Sequence, residues 1–301
     1  MSDQPLSQSR LATYAICPRL YEFQYDWDVD VPDEQRRYFE RGNVLHEAIE
    51  HICERVDAEP GLEDSEIRQL AIDQTNKNWD ERMNRSEYYS DAEFEEDRLA
   101  TLARIKAFFD DGPGFEHVRN SIATELYVSL ERNDETYHGY IDNVVRNDGT
   151  LTLIDYKTSS IKPPFTRQYV EEHLEDGYRP RRVKPAIQAA LYLEAIKTAD
   201  IYDPALDLEF VFYELRKSGG KTVTRRPGEV TVTVEGRERN VTSGYHKQAA
   251  DVWELIEKCA TGIRTGEYEP ESFEEIYDNT CSSCDFRNTC PQYLEQEVSR
   301  L

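Results

Sequence analysis

The sequence predicts an α/β fold with a mixed central sheet flanked by helices. Three observations predict it. Apolar residues recur at helical spacing near the N-terminus, a period-two pattern runs from about 122 to 158, and helical and strand patterns alternate after that. A chain of 301 residues can bury one sizeable core, so we expect a single domain over residues 1–301.

Two helices are predicted at the start of the chain. The first covers 8–25, is rich in tyrosine and contains Cys17. The second covers about 43–56. Its core stripe has spacings of four, three and four and consists of Leu45, Ile49, Ile52 and Val56. His46 lies beside this stripe, where an isolated histidine is more often a hydrogen-bonded or exposed helix residue than a ligand.

Residues 57–116 read as an acidic helical insertion. They include 17 acidic and seven basic residues, helical patches such as Arg98–Phe109, and the breaker cluster Gly112-Pro113-Gly114. This charge balance is wrong for a DNA surface and typical of a solvated face.

Three hairpin-linked strands follow the insertion. They are predicted near Ile122–Leu130, Tyr137–Arg146 and Leu151–Thr158, separated by Asn-Asp and Asn-Asp-Gly turn signals. The remaining pattern comprises a helix at about 184–199, a strand at Leu208–Arg216, a strand near Glu229–Val234, a helix at about 245–264 and a loop-rich end with three cysteines.

Charged residues interrupt the apolar strand pattern at Asp142, Asp155 and Lys157. A period of two puts Leu151, Leu153, Asp155 and Lys157 on one strand face, and Asp142 on a face with Tyr140 and Val144. A buried carboxylate needs a partner. Two carboxylates and a lysine on neighbouring strands suit phosphodiester hydrolysis with Mg²⁺ or Mn²⁺, although an isolated Asp-x-Lys strand is usually a surface ion pair.

These motifs resemble those of the RecB-like PD-(D/E)XK nucleases, including the iron-sulfur exonucleases of CRISPR adaptation and the nuclease domain of AddB. GYIDNVV at 139–145 and LIDYKTS at 153–159 match the second and third family motifs in order and spacing. RGNVLHEAIEH at 41–51, the N-terminal segment at 7–25 and AIQAALYLEA at 186–195 extend the resemblance over most of the chain, except 57–116. It implies a restriction-endonuclease-like core.

The resemblance also implies roles for individual residues. His46, Asp142, Asp155 and the Tyr156 carbonyl are the implied metal ligands, and Lys157 is the catalytic lysine. Glu125 matches the first acidic position of the family. Gln188 and Tyr192, at i and i+4 on one predicted helix face, are implied beside the active site. From the residues alone, packing of Tyr192 against the sheet explains that helix equally well.

Four cysteines have a spacing that favours an iron-sulfur cluster. Cys281, Cys284 and Cys290 lie in a C-x2-C-x5-C-P pattern, and Cys17 precedes Pro18 near the N-terminus. Zinc is usually bound by paired C-x2-C knuckles. The x5 gap and the distant fourth cysteine fit iron-sulfur ligation better than zinc ligation. The resemblance implies a 4Fe-4S cluster that joins the 267–301 segment to the first helix. Cys53 and Cys259 read as buried thiols.

The net charge of -24 is typical of a protein adapted to concentrated salt, with 60 acidic and 36 basic residues. Basic residues cluster at Arg179–Lys184 and at Arg216–Arg226 around Gly219-Gly220, where they could contact phosphates or neutralise acidic neighbours. The N-terminus lacks a basic start and an apolar run, and no stretch is long enough to cross a bilayer, which predicts a cytoplasmic protein without a membrane partner.

Together these features predict a DNA exonuclease or end-processing enzyme that requires Mg²⁺ or Mn²⁺ and acts on single strands or duplex ends. No G-x-x-x-x-G-K-[ST] motif occurs, so unwinding would need a helicase partner, and a CRISPR-adaptation protein is the other candidate partner. The alternatives are a non-catalytic iron-sulfur DNA-binding or scaffolding subunit and a zinc-stapled binding module.

Overall fold

The fold was analysed in a computed structural model. It describes residues 4–29, 33–175, 177–217, 224–226, 229–231, 233–271 and 273–300. The strands are β1 Leu6–Ser7, β2 Ser121–Arg132, β3 Glu135–Asn147, β4 Thr150–Lys157, β5 Asp207–Lys217, β6 Thr224–Arg226, β7 Glu229–Thr231 and β8 Val234–Asn240.

The helices are α1 Gln8–Ile16, α2 Pro18–Tyr21, α3 Asp33–Ala58, α4 Asp64–Arg82, α5 Asp91–Asp110, α6 Gly114–Arg119, α7 Tyr169–Glu175, α8 Pro180–Ala195, α9 Thr242–Thr265, α10 Phe273–Asn279 and α11 Pro291–Ser299. Short π-helical and 3₁₀ turns lie at Glu22–Asp26, Arg85–Glu87, Ile196–Thr198 and Cys281–Ser283.

Six strands form one sheet, which is mixed as the sequence predicts, although the sequence did not predict β1. β2 pairs antiparallel with β3 along one edge, while β1 and β4 share the other edge of β3. β1 is parallel to β3 at Tyr137 and His138, and β4 is antiparallel to it from Asn143 to Asn147. Along this edge, residues 139–142 of β3 therefore lie in the gap between the part that pairs with β1 and the part that pairs with β4. β5 continues the sheet parallel to β4, and β8 closes the path.

Two hydrophobic cores cover the sheet. The first lies against α1, α8 and α9 and includes Leu151, Leu153 and Phe210. The second lies against α3 to α6 and includes the predicted α3 stripe, whose four residues are all buried. Ile105 and Phe108 of the 57–116 segment belong to it, so this acidic segment has a buried face as well as a solvated one.

The predicted helix over 8–25 is wrong as a single helix. α1 ends at Ile16, Cys17 is extended with φ -165°, and α2 starts at Pro18. A residue before proline is disfavoured in the helical region, because the proline ring clashes with its backbone and Cβ. Cys17 therefore lies at a break between helices rather than within one.

The strand predicted near Glu229–Val234 is confirmed only at its two ends, which belong to different strands. Glu229–Thr231 pairs with Thr224–Arg226 in a separate ribbon, and Val234 begins the edge strand β8. β8 reads Val-Glu-Gly-Arg-Glu-Arg-Asn, without apolar alternation, and most of its side chains on both faces are exposed, so it shows the charged composition common in edge strands. The remaining predicted helices and strands are confirmed with shifts at their ends; for example, α8 starts at Pro180 rather than 184. In the described part of the chain, helices are either too short or too polar to span a membrane.

Candidate metal centre

The candidate site lies where β3 and β4 stop pairing. Their ladder ends at Asn143 and Ile154, and the next residues are Asp142 and Asp155. Here the Tyr156 backbone N–H donates to Asp142 Oδ2 at 2.7 Å. The Asp142 carboxylate thus takes the hydrogen bond that a β3 carbonyl would accept if the ladder continued. The backbones of β3 and β4 are no longer paired at Asp142 and Asp155.

The side-chain alternation of β3 changes phase at Asp142. Before this residue Ile141 points into the first core; after it, Val144 points into that core, and Val145 points into the second. Tyr140 is 52% exposed and Val144 is 0% exposed. The prediction that Tyr140 and Val144 both share a face with Asp142 is therefore wrong: Tyr140 lines the same cavity as Asp142, whereas Val144 points into the first core, because the period of two is broken after Asp142. On β4 the predicted phase is correct, since Leu151 and Leu153 lie in the first core.

Glu125 on β2 has φ +44°, a left-handed conformation that is unusual for a residue other than glycine. Its neighbours Thr124 and Leu126 pair with Asn143 and Ile141, so Glu125 lies opposite Asp142. Such a conformation costs on the order of 1–3 kcal/mol and persists only where the surrounding structure enforces it. At Glu125 this conformation occurs in a residue whose own carboxylate lies close to that of Asp142.

His46 extends from α3, which packs on the second-core side of the sheet, to Asp142 and Tyr156. Its Nε2 lies 2.9 Å from the Tyr156 carbonyl oxygen, and its Nδ1 lies 3.4 Å from Asp142 Oδ2. The α3 stripe, including Leu45 and Ile49, packs into the second core, and this packing fixes the helix face that carries His46. A helix and two strands that are far apart in sequence thus converge.

His46, Glu125 and Asp142 each offer a donor atom within 4.8 Å of the others, the one such group of three or more within the described ranges. Of the sequence-predicted ligands, the structure brings together His46, Asp142 and the Tyr156 carbonyl. Glu125, predicted from its match to the family's first acidic position, joins them. Asp155 lies beside this group and not within it.

Asp155 is held by two other predicted residues. Lys157 Nζ lies 2.5 Å from its Oδ1, and Gln188 Nε2 donates to its Oδ2. Burial raises the pKa of Asp142 to about 7, as does the Asp155 carboxylate, while His46 opposes the rise. Burial works to lower the pKa of Lys157, but Asp155 and Asp142 raise it overall, so its ammonium is the cation at the site.

Gly139 lets Tyr192 reach the sheet, a role that sequence reasoning missed. A Cβ added at Gly139 would lie 2.5 Å from Tyr192 Cε1. Tyr192 is buried on α8, one turn after Gln188, so both predicted residues face the site from this helix. Asn143 was also missed. It is fully buried and donates to the Tyr156 hydroxyl at 3.1 Å. A polar residue at an apolar strand position was its one sequence signal.

The site opens into a cavity of about 670 Å³. Besides the residues above, its lining includes the start of α1 and the α3 carboxylates of Glu47 and Glu50. In the Arg179–Lys184 cluster, Arg179 pairs with Glu172 and Arg182 lies over the Tyr169 ring. Lys184 is different, because it is close enough to Asp155 and Lys157 to interact with both charges. Of the Arg216–Arg226 cluster, Arg216 pairs with Glu235. Gly219, Gly220 and Lys221 are outside the described residues.

The four predicted cluster cysteines meet at a second location. All of them line a small pocket of about 20 Å³ between α2 and the C-terminal segment, and Cys17, Cys281 and Cys290 are buried. Tyr178 joins the two chain segments there, because its hydroxyl donates to the Ile16 carbonyl and lies 2.9 Å from Thr280 Oγ1. Cys53 and Cys259 are buried elsewhere, as predicted.

The donor group of His46, Glu125 and Asp142 could hold a divalent cation on the mixed sheet, with Lys157 beside it. The family model described as the PD-(D/E)XK nuclease superfamily matches residues 5–291, and the chain belongs to this superfamily. A crystal structure from Eubacterium rectale described as "Putative exonuclease" is similar to this chain at 14% identity, with a TM-score of 0.48, covering 89% of this chain and 84% of the other. No curated protein sequence matches this chain.

Proposed function

We propose that this chain is a DNA exonuclease or end-processing enzyme that depends on Mg²⁺ or Mn²⁺. The observation that carries this proposal is the convergence of His46, Glu125 and Asp142 within 4.8 Å beside the Asp155–Lys157 pair. Membership of the PD-(D/E)XK nuclease superfamily supports it.

The donor set fits a divalent cation. Ligand distances of roughly 2.0–2.4 Å place two donors of one ion at most about 4.8 Å apart, which is the limit that this group satisfies. The Tyr156 carbonyl, 2.9 Å from His46 Nε2, is a suitable fourth ligand. Two carboxylates, a carbonyl and an imidazole suit Mn²⁺, while Mg²⁺ prefers the oxygen donors. The raised pKa of Asp142 reflects a buried carboxylate next to Asp155, and a cation would favour its ionised form.

A bound cation would polarise the phosphate and lower the pKa of the attacking water. The protein residues position the reacting groups. Lys157, held by Asp155, places an ammonium where negative charge develops on the phosphate. Gln188 and Lys157 each bind one oxygen of Asp155 and thereby fix its orientation. The Tyr156 N–H fixes Asp142 in the same way.

The catalytic test compares wild type with Asp155→Asn on end-labelled single- and double-stranded DNA, with Mn²⁺ or Mg²⁺, in concentrated KCl. We expect metal-dependent shortening from an end by wild type and a loss of at least about 100-fold in the variant, because the lysine loses its charged partner. Asp57→Asn, which changes an exposed carboxylate near the end of α3, is the matched control.

Two outcomes would refute the nuclease proposal: no cleavage by wild type with either metal, or equal cleavage by wild type and Asp155→Asn. DNA binding without cleavage would favour the non-catalytic scaffolding subunit. Products cut internally rather than from an end would refute the exonuclease part alone.

We further propose that Cys17, Cys281, Cys284 and Cys290 bind a 4Fe-4S cluster. The four cysteines line one pocket, although no three of these described residues have sulfurs that all lie within 4.8 Å of one another. Four sulfurs on one zinc ion lie about 3.8 Å apart, given Zn–S distances of about 2.3 Å, whereas a four-iron cluster holds its cysteines farther apart. Burial raises the pKa of Cys17 to about 11, so converting this thiol to a thiolate calls for a cationic centre.

Anaerobic purification with iron and sulfide analysis tests the cluster. Wild type and Cys259→Ala should contain about four irons per chain, and Cys17→Ser should lose them, because Cys259 is buried away from the pocket. A colourless wild type that contains zinc and no iron would establish the zinc-stapled alternative instead.

We place this activity in the cytoplasm, in DNA repair, recombination or CRISPR adaptation, with a helicase or a CRISPR-adaptation protein as the partner. The net charge of -24 supports a salt-adapted enzyme. We therefore expect nuclease activity to rise with KCl between about 0.2 and 2 M, where carboxylate repulsion is screened over a Debye length of a few ångströms. A steady fall over this range would contradict the proposed salt adaptation.

A further inference from the structure

Three aromatic side chains form an uncovered face on the sheet next to the metal centre. This aromatic face consists of Tyr127 on β2 and of His138 and Tyr140 on β3. Tyr127 and Tyr140 are directly opposite in the ladder, with ring centroids 5.4 Å apart, and Tyr127 lies 5.9 Å from the His138 ring. The two tyrosines are 50% and 52% exposed, which is high for large rings in a sheet.

The aromatic face is continuous with the catalytic cavity. His138, Tyr140 and Asp142 follow each other at every second position of β3, a spacing of roughly 6.6–6.8 Å per step along a strand. His138 and Tyr140 line the same cavity as Asp142, Asp155 and Lys157. A chain lying along this strand would therefore pass from the aromatic rings directly to the carboxylates.

These rings do not serve a core. The reverse face of the same strand segment carries Tyr137 and Ile141, which are buried in the first core. The second core covers the sheet on the α3 side only beyond Asp142, where Val145 and Ile154 lie. Tyr21 of the N-terminal segment, in contrast, is 5% exposed and packs on Tyr25 and Tyr268, which leaves less of it for a ligand.

The charges around the cavity favour contacts to bases over contacts to phosphates. Glu47, Glu50 and Glu125 line it, and among the described lining residues Lys157 is the one Lys or Arg. Lys184 and Arg10 interact with Asp155 and His138 from outside the lining. Binding through phosphates relies on several cations that displace counterions, and it weakens steeply with salt. Stacking of bases on aromatic rings needs no cation and tolerates salt.

We propose that the aromatic face stacks the bases of single-stranded DNA and guides the strand into the metal centre, so that single-stranded ends are the preferred substrate. This inference rests on the nuclease function proposed above and specifies its substrate. In a duplex, base faces are covered by their neighbours, so the rings have no surface to stack on until the strands separate. A helicase partner would then supply the strand.

The test measures binding without cleavage. Fluorescence anisotropy in EDTA would give the Kd of wild type for a labelled 20-nucleotide single strand, for a matched hairpin duplex and for an abasic strand with the same number of phosphates. We expect the normal single strand to bind most tightly. Tyr140→Ala and Tyr127→Ala should each weaken single-strand binding roughly 5- to 150-fold, the range for loss of one stacked base, with little effect on the abasic strand.

Two variants serve as controls. Tyr140→Phe keeps the ring and should bind close to wild type. Tyr89→Ala removes a tyrosine that is 88% exposed on the 57–116 segment and should also bind normally. Photocrosslinking with a single strand that carries 5-iodouracil should label Tyr127 or Tyr140, and mass spectrometry would identify the residue.

The inference is overturned if both alanine variants bind like Tyr89→Ala, or if the abasic strand binds as tightly as the normal one. It is also overturned if the wild type is a dimer in sedimentation, the two alanine variants are monomers and DNA binding is unchanged, since the face would then be a self-association surface. The nuclease proposal fails separately, through absent metal-dependent cleavage by wild type, because the binding measurement requires no metal.

Discussion

Substitution of Gly139 by alanine tests how the sheet and α8 are fitted together at the metal centre. The added Cβ would lie 2.5 Å from Tyr192 Cε1, 3.1 Å from its hydroxyl oxygen and 3.2 Å from Cζ. Carbon atoms make favourable contacts at about 3.5–4.0 Å, so the ring would have to move by about 1 Å. Tyr192 is 4% exposed and packs on Phe210, which leaves little free space around it.

Two consequences follow for Gly139→Ala. Overpacking a buried site of this kind costs about 1–3 kcal/mol, which urea unfolding at fixed KCl would measure. A displacement of about 1 Å in the supporting side chains can also lower the rate about 100-fold, because Gln188 of the same helix holds Asp155. End-labelled DNA with Mn²⁺ would report this loss.

Two comparison variants make the test specific. At Gly42, on the α3 face near His46, a Cβ meets no atom within 4 Å, so Gly42→Ala should keep full activity and gain up to about 1 kcal/mol from helix propensity. The double variant Gly139→Ala with Tyr192→Leu should be at least about 1 kcal/mol more stable to unfolding than the sum of the two single variants predicts, because the shorter side chain removes the clash. Wild-type stability in Gly139→Ala, or strict additivity in the double variant, would refute the close-approach argument.

Three further variants probe single buried groups. Gln188→Ala leaves one oxygen of Asp155 unpaired and should cost about 1–3 kcal/mol in urea unfolding together with most of the nuclease activity; unchanged values would contradict the contact. Burial lowers the pKa of His117 to about 4, so the unfolded chain takes up a proton below about pH 6.5 that the folded chain does not. Wild type should therefore lose about 2 kcal/mol more than His117→Asn between pH 7 and 5, and equal losses would disprove this. Arg104 is 3% exposed, its pKa is lowered by burial to about 10, and its Nε donates to the Leu215 carbonyl. Arg104→Met should lower the free energy of unfolding by less than about 1 kcal/mol, or raise it, because a desolvated charge is replaced by an apolar side chain of similar volume. A loss above about 3 kcal/mol in urea unfolding would contradict that view.

The parts of the fold that sequence predicted well are those with local signals. The β2–β4 hairpins have alternating apolar residues and Asn-Asp or Asn-Asp-Gly turns, and their predicted bounds are within a few residues of the structure. The α3 stripe has a clear helical period. The interruption of an apolar strand by Asp155 and Lys157 correctly marked where β4 leaves the first core, because burial of a strand is visible in its period.

The parts that sequence could not supply depend on distant contacts. The phase change at Asp142 and the left-handed conformation of Glu125 occur opposite each other in paired strands, and neither residue type requires such a conformation. Gly139 resembles any strand glycine until Tyr192 is placed against it. The break at Cys17 was, in contrast, available locally from Pro18, and the aromatic period over 8–25 concealed it.

The first helix connects the two candidate centres. Ser7, Gln8 and Ser9 at its start line the cavity of the candidate metal centre, and the described residues of β1 beside them pair with β3 at Tyr137 and His138. The other end of α1 is followed by Cys17 in the cysteine pocket. A two-residue strand contributes little stability alone, but Leu11, Ala12 and Ala15 of α1 are buried in the first core against α8 and α9, and this packing holds the cavity wall. A cluster bound at Cys17 would thus lie at the far end of the helix whose start lines the cavity, outside the reaction chemistry.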